Sequence, residues 1–183
     1  MLARAPHLVW GRVSRALALG LAGRGKEAAD EWNLVVAAEP DDVSHRVWLG
    51  RALMATGDFK SAAEALGRAR ASWPSNLILH TLQAESYARI REPEAARGVL
   101  VAMKDYMLQR DLTARGDALN PFLLLGSVDL LEGRFTSGLA RFEEALDIKS
   151  KSGALFAPTA TLHETIVEMR RDLVTSYDEL TRR

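Results

Sequence analysis

Two prolines, Pro40 and Pro74, stand 34 residues apart, and the residues around them recur at the same interval. Sliding the chain by that period sets Ala16 on Gly50, Gly23 on Gly57, Ala28 on Ala62 and Trp32 on Leu66. A further period sets Gly50 on Ala84, Leu53 on Tyr87, Ala62 on Ala96 and Leu66 on Leu100. After eight extra residues the pattern returns. Leu125, Gly126, Gly133, Phe135, Phe142 and Ala145 then take the places of Leu49, Gly50, Gly57, Phe59, Leu66 and Ala69. A fixed period of this length is the mark of a repeat array, because one such unit cannot bury its own apolar face and needs neighbours of the same kind.

Residues 43–74 show what the unit is. They read as two short amphipathic helices, with Leu49, Gly50 and Leu53 on the first and Ala62, Leu66 and Ala69 on the second. Gly57 separates the helices and Pro74 closes the unit. Gly50 and Ala62 leave room for the two backbones to approach, and Leu53, Phe59 and Leu66 fill the space around the crossing.

At these residues the chain resembles the tetratricopeptide repeat family. That pattern places a large residue, Leu-Gly, Tyr, Ala, an aromatic residue, Ala and Pro at set positions of 34. Residues 43–76 match it most fully, with Leu49, Gly50, Gly57, Phe59, Ala62, Ala69 and Pro74 in register. Residues 119–152 are nearly as good, and residues 9–42 keep Ala16, Gly23, Ala28, Trp32 and Pro40. Residues 77–110 depart: Arg91 stands where the other units have a glycine, and the closing Pro is missing. The resemblance implies an all-α, right-handed α-solenoid of helix-turn-helix repeats, one domain over 1–183, with repeats at about 9–42, 43–76, 77–110 and 119–152. A C-terminal capping helix is expected over about 159–183. Pro158 precedes it, Thr161 and Glu164 form a capping box, and Leu162, Ile166, Met169, Leu173, Tyr177 and Leu180 form one apolar stripe.

Local signals set the boundaries in between. Pro93 suits the first turn of a helix, where its missing N–H is no loss. Val99, Leu100, Met103, Tyr106 and Met107 carry the helical spacing on to Arg110, and Gly116 supplies a stop. Asn120-Pro121 reads as cap and first turn of the next helix, with Leu119 and Leu124 as a hydrophobic staple. The N-terminus has basic residues followed by an apolar run over 16–22, as a secretory signal would. Arg12 and Arg15 cut the apolar stretch short and no small-residue cleavage site follows, so a helix with Val9, Val13, Ala16, Leu17 and Gly20 on one face is the expectation. No run reaches the roughly 18 apolar residues of a membrane span.

Composition narrows the function. With 24 basic and 24 acidic residues the net charge is zero, which argues against nucleic acid as a partner. Without Cys there are no disulfides, thiolate metal sites or Cys nucleophile. Nineteen Arg against five Lys point to a GC-rich bacterial coding sequence. The cytoplasm is the expected compartment, with the periplasm as the alternative. His7, His45, His80 and His163 have no ligand spacing, and His163-Glu164 is not followed by the second His of a zinc protease motif. The glycines Gly11, Gly20, Gly23 and Gly25 follow no strand and form no phosphate loop, and Glu143-Glu144 reads as a solvated pair. No enzymatic activity, metal or cofactor is expected.

The resemblance also implies where a partner would sit, since such repeats line a concave groove with their first helices. In this register the groove takes Trp10, Val13, Leu17 and Leu21, then Val47, Arg51 and Met54, then Thr81, Glu85 and Arg89, then Leu123, Ser127 and Leu130. The family members that grip carboxylate tails of chaperones use Lys and Asn at positions held here by Val13, Leu17, Val47 and Arg51, a departure from that mode. The expected role is a non-catalytic adaptor or assembly scaffold. Its partner would be another protein, presenting an amphipathic helix or peptide read by apolar anchors and one or two charge pairs. The alternatives are a self-assembling homo-oligomer joined through Trp10, Val13 and Leu17, and a helper domain of a larger enzyme or secretion machine. Of the four tryptophans, Trp32 is expected in the core, Trp48 between first helices, and Trp73 against the next repeat.

Overall fold

The computed structural model describes residues 6–110, 112 and 120–152. Among the described residues stand eight α-helices and no strand: α1 Pro6–Leu21, α2 Gly25–Ala38, α3 Val43–Ala55, α4 Phe59–Ser72, α5 Leu77–Arg89, α6 Pro93–Gln109, α7 Asn120–Leu131 and α8 Phe135–Ser152. α1 packs with α2, α3 with α4 and α7 with α8, as the repeat period predicts, and α1 is helical through the stretch that resembled a signal. Pro93 opens α6 and the long run through Met107 is helical, also as expected. The capping helix over 159–183, the stop at Gly116 and the staple residue Leu119 lie outside the described residues.

The chain forms two compact units, Met1–Ala96 and Arg97–Arg183, with the division falling inside α6. In the first unit each helix packs on the next, α1 on α2, α2 on α3, α3 on α4 and α4 on α5, and α3 also meets α5. Short polar side chains start the helices. Asp42 accepts the Ser44 N–H at 2.7 Å, Asp58 the Ser61 N–H at 3.1 Å and Asn76 the Ile78 N–H at 3.2 Å, each answering a backbone donor that the first turn leaves open.

The turn inside each repeat has one geometry. The N–H of Gly57 donates to Met54 O at 3.0 Å, and that of Asp58 to Leu53 O at 3.1 Å, which is the Schellman closure of a helix. Gly23 and Gly133 repeat it, with φ of 73° at both and 80° at Gly57. Arg91 does the same without glycine. Its N–H donates to Ala88 O at 3.2 Å, the Glu92 N–H donates to Tyr87 O at 2.9 Å, and Arg91 takes φ 61°.

The core of the first unit has two clusters. Val9, Ala16, Leu19, Ala28, Trp32, Val35 and Leu49 make the first, and Val47, Ala62, Leu66, Ala69 and Leu79 the second. A Cβ added at Gly50 would sit 2.5 Å from Leu66 Cδ2, so any side chain there must displace Leu66. The second unit builds the same crossing with Gly126, where a Cβ would lie 2.7 Å from Phe142 Cε1. Here α7 packs on α8. The buried Asp129 accepts from Arg97 Nη2 at 2.5 Å and from Arg134 Nε at 3.1 Å, and both arginines also pair with Glu132. Trp32 is buried as expected; His80 is buried as well, and its Nε2 stands 3.0 Å from Pro74 O.

Candidate functional site: an apolar cleft in the first unit

α1, α2 and α3 enclose a cleft of about 430 Å³. α1 contributes Ala16, Leu17, Gly20 and Leu21; the α1–α2 turn and α2 contribute Gly23, Gly25, Ala28 and Trp32; α3 contributes Trp48, Arg51, Ala52 and Ala55. Small residues make most of the walls, which is why a hollow exists between packed helices. Its volume falls within the roughly 300–1,000 Å³ of ligand pockets.

The floor is aromatic. Trp32 holds the repeat position of Leu66 and Phe142, and its larger ring reaches beyond the crossing to stack on Trp48, with centroids 6.0 Å apart and planes 9° from parallel. Trp48 is 41% exposed, so one side of this stack faces water. The Arg51 guanidinium carbon lies 5.3 Å from the Trp48 ring centroid, a cation–π distance. Leu17 (38% exposed) and Leu21 (92%) form the opposite apolar rim.

Arg51 is the cleft's charge. No carboxylate stands within ion-pairing distance of it among the described residues, whereas neighbouring arginines are tied. Arg12 and Arg15 reach the buried Glu31 at 2.8 and 3.0 Å, and Arg24 pairs with Glu27 at 2.5 Å. The Glu27 partner raises the Arg24 guanidinium above its ordinary pKa, and the hydrogen bond from Arg24 lowers the Glu27 carboxyl.

The structure brings Leu17 and Arg51 together and distributes the other expected groove residues elsewhere. Val47 is a correction: at 8% exposed it is part of the second core cluster, with Ala62, Leu66 and Leu79 around it. Met54 packs partly buried on the same cluster. The expected face was turned by one residue, since about 3.6 residues make a turn and positions three and four apart share a side. Trp48, Arg51, Ala52 and Ala55 are that side. The spacing of Trp48 from Arg51 was the sequence signal that pointed to it.

Thr81, Glu85 and Arg89 lie on α5. Thr81 is half-buried and donates to Leu77 O at 3.1 Å, and Glu85 and Arg89 face each other at 3.8 Å, with Arg89 also over the Phe59 ring. Leu123 and Ser127 belong to α7 of the second unit. Leu123 packs on Phe122 and Ala145, and the exposed Ser127 hydroxyl donates to Leu123 O at 3.0 Å.

Trp10 is 71% exposed and joins Val13 in walling a smaller hollow of about 150 Å³ with Val9, Glu39, Asp42 and His45. Donor atoms of Glu39, Asp42 and His45 lie within 4.8 Å of one another. Each His45 nitrogen faces a different carboxylate, Nδ1 at 3.5 Å from Glu39 Oε2 and Nε2 at 3.8 Å from Asp42 Oδ2. A metal ion bonds one imidazole nitrogen at roughly 2.0–2.1 Å, so these donors do not converge on one point as they stand. Burial raises the Asp42 carboxyl, but hydrogen bonds from Ser44 and the nearby His45 bring it below the ordinary carboxylate value.

No family model matches the chain, and no curated protein matches it by sequence. Solved structures do match. MamA 41-end from Desulfovibrio magneticus RS-1 superposes with a TM-score of 0.67 at 16% identity, covering 95% of this chain and 92% of that one. MamA MSR-1 gives 0.61 at 21% identity, covering 94% and 91%. A Podosopora anserina chain of nearly identical TPR-like repeats, described as a kinesin light chain, gives 0.64 at 18% identity, covering 100% and 90%. The chain therefore has the all-α tetratricopeptide-like repeat fold, as its period and its turns already indicated.

Proposed function

We propose that this chain is a non-catalytic protein–protein interaction scaffold that docks a segment of another protein in the cleft between α1 and α3. One observation carries the reading. A water-facing tryptophan stacked on a buried one floors an apolar hollow with small-residue walls, and an arginine stands at its edge. Aromatic anchors and Arg in concave surroundings are the usual centres of binding energy. The tetratricopeptide-like fold supports the class, because stacked helix pairs create extended surfaces for partners. In this reading Leu17 and Arg51 bind directly, and Trp10, Val13, Met54, Thr81, Glu85 and Arg89 extend or support the surface of the first unit, while Leu123 and Ser127 belong to the second unit.

A photo-crosslinking side chain placed at Leu21, on the rim, tests the reading in cell lysate, with a second at Leu34, outside the cleft, as reference. A partner captured from position 21, not from 34, and lost with Trp48→Ala is the expected result. A second reading, self-association, is favoured by the exposed Trp10 and Leu21 on α1. It predicts that the chain captures only itself and that its mass by light scattering rises with concentration.

A further inference from the structure

We infer that the cleft selects acidic partner segments: its occupant is a stretch of another protein that places a bulky apolar side chain on the Trp32–Trp48 floor and a carboxylate against Arg51. This rests on the docking reading above and adds the chemistry of what docks.

Arg51 is the single charged residue in the lining, and it lacks a carboxylate partner among the described residues. Arg12 and Arg15 of α1 share the one carboxylate of Glu31, and Arg24 of the α1–α2 turn pairs with Glu27, so these cations are already ion-paired whereas Arg51 is not. A ligand that covers Trp48 also covers the guanidinium lying over its ring. Removing an unpaired cation from water is unfavourable, and an acidic residue on the ligand offsets that while a basic one adds repulsion. The planar guanidinium can receive a carboxylate with two parallel hydrogen bonds and still lie on the indole, which a lysine could not do as well.

Geometry then limits the spacing. The cleft face of α3 runs from Trp48 to Ala55, roughly 10 Å at 1.5 Å per residue. The apolar anchor and the acid must fall within about three residues of an extended ligand, at roughly 3.3 Å each, or within one to two turns of a helical one. The small walls at Gly20, Ala28 and Ala52 favour a bulky aliphatic or aromatic anchor over a short one.

A display library of random twelve-residue peptides, selected in parallel on the wild type, Arg51→Glu and Trp48→Ala, tests this. Arg51 is exposed, so Arg51→Glu should keep its far-ultraviolet circular dichroism. The expected wild-type clones carry Asp or Glu within one to four residues of a bulky apolar residue. On Arg51→Glu the preference should switch to Lys or Arg, and the best acidic clone should bind at least tenfold more weakly than to the wild type. Clones without an acidic preference, or the same clones on Arg51→Glu, overturn the charge selection and leave docking standing. No enrichment on the wild type above Trp48→Ala overturns the docking reading and the charge selection with it.

Discussion

The second and third repeats close their helix pairs with the same turn and different residues. Gly57 takes φ 80° in one and Arg91 takes φ 61° in the other, and the hydrogen bonds around them are equivalent. Left-handed backbone is natural for glycine and costs an ordinary residue about 1–2 kcal/mol. The closing hydrogen bonds go with the left-handed conformation in both turns, and Arg91 tolerates it. The second and fourth repeats differ in another way. They share the Gly50–Leu66 and Gly126–Phe142 crossings, but the place of Leu53 is taken by Asp129. An apolar contact in one repeat is a buried ionic cluster in the other.

Five changes would break or sharpen these comparisons. The largest effect is expected from Gly50→Leu, which drives a side chain into Leu66. It should lower stability by about 3 kcal/mol or more, read from urea unfolding. Wild-type stability in this variant would refute the crossing. Asp129→Leu makes the fourth repeat resemble the second at that position. It should lose about 2 kcal/mol, because Arg97 and Arg134 lose a buried partner and keep Glu132 alone. A gain in stability would show the ionic cluster to be dispensable.

The turn comparison gives smaller and opposite effects. Arg91→Gly should stabilise by about 1 kcal/mol by relieving backbone strain, and Gly57→Ala should destabilise by about 1 kcal/mol. At Gly57 an added Cβ meets nothing within 4 Å, so its loss would report the backbone conformation alone. Equal signs in the two variants would sink the account of the turn.

The smallest effect concerns the cap that follows. Hydrogen bonds from the Ser61 hydroxyl and N–H lower the pKa of Asp58, whereas the third repeat has Glu92 at that place. A lowered folded-state pKa means that the contribution is present above the unfolded value, near 3.9, and is lost as pH falls through the folded one. Melting temperatures between pH 5 and pH 3 should therefore fall slightly less for Asp58→Asn than for the wild type. An identical fall would exclude Asp58 from the acid response.

Much of the fold was legible because repetition averages over local ambiguity. A lone Gly-containing helix pair says little, but Gly23, Gly57 and Gly133 at matching places of a 34-residue pattern identify the turn. The same logic let Arg91 be recognised as a turn residue without saying how its backbone would behave. The face of α3 that lines the cleft was harder to read. Val47 and Trp48 are adjacent, both apolar and both on α3, and periodicity in a helix with apolar residues on several sides does not say which one turns inward. Neighbouring helices decided that: Ala62, Leu66 and Leu79 enclose Val47, and Trp32 draws Trp48 to the edge of the cleft.

The sequence by itself determined the helix pairs, their turns and the glycine crossings, because these depend on residues close in the chain or on a strict period. Tertiary structure alone decided which side chains meet water together and which charges are already matched. Glu31 lies 19 residues from Arg12 and Trp48 lies 16 residues from Trp32, yet these contacts leave Arg51 as the cleft's uncompensated charge. Exposure and charge balance are properties of the assembled surface, and they arise only when separate helices pack.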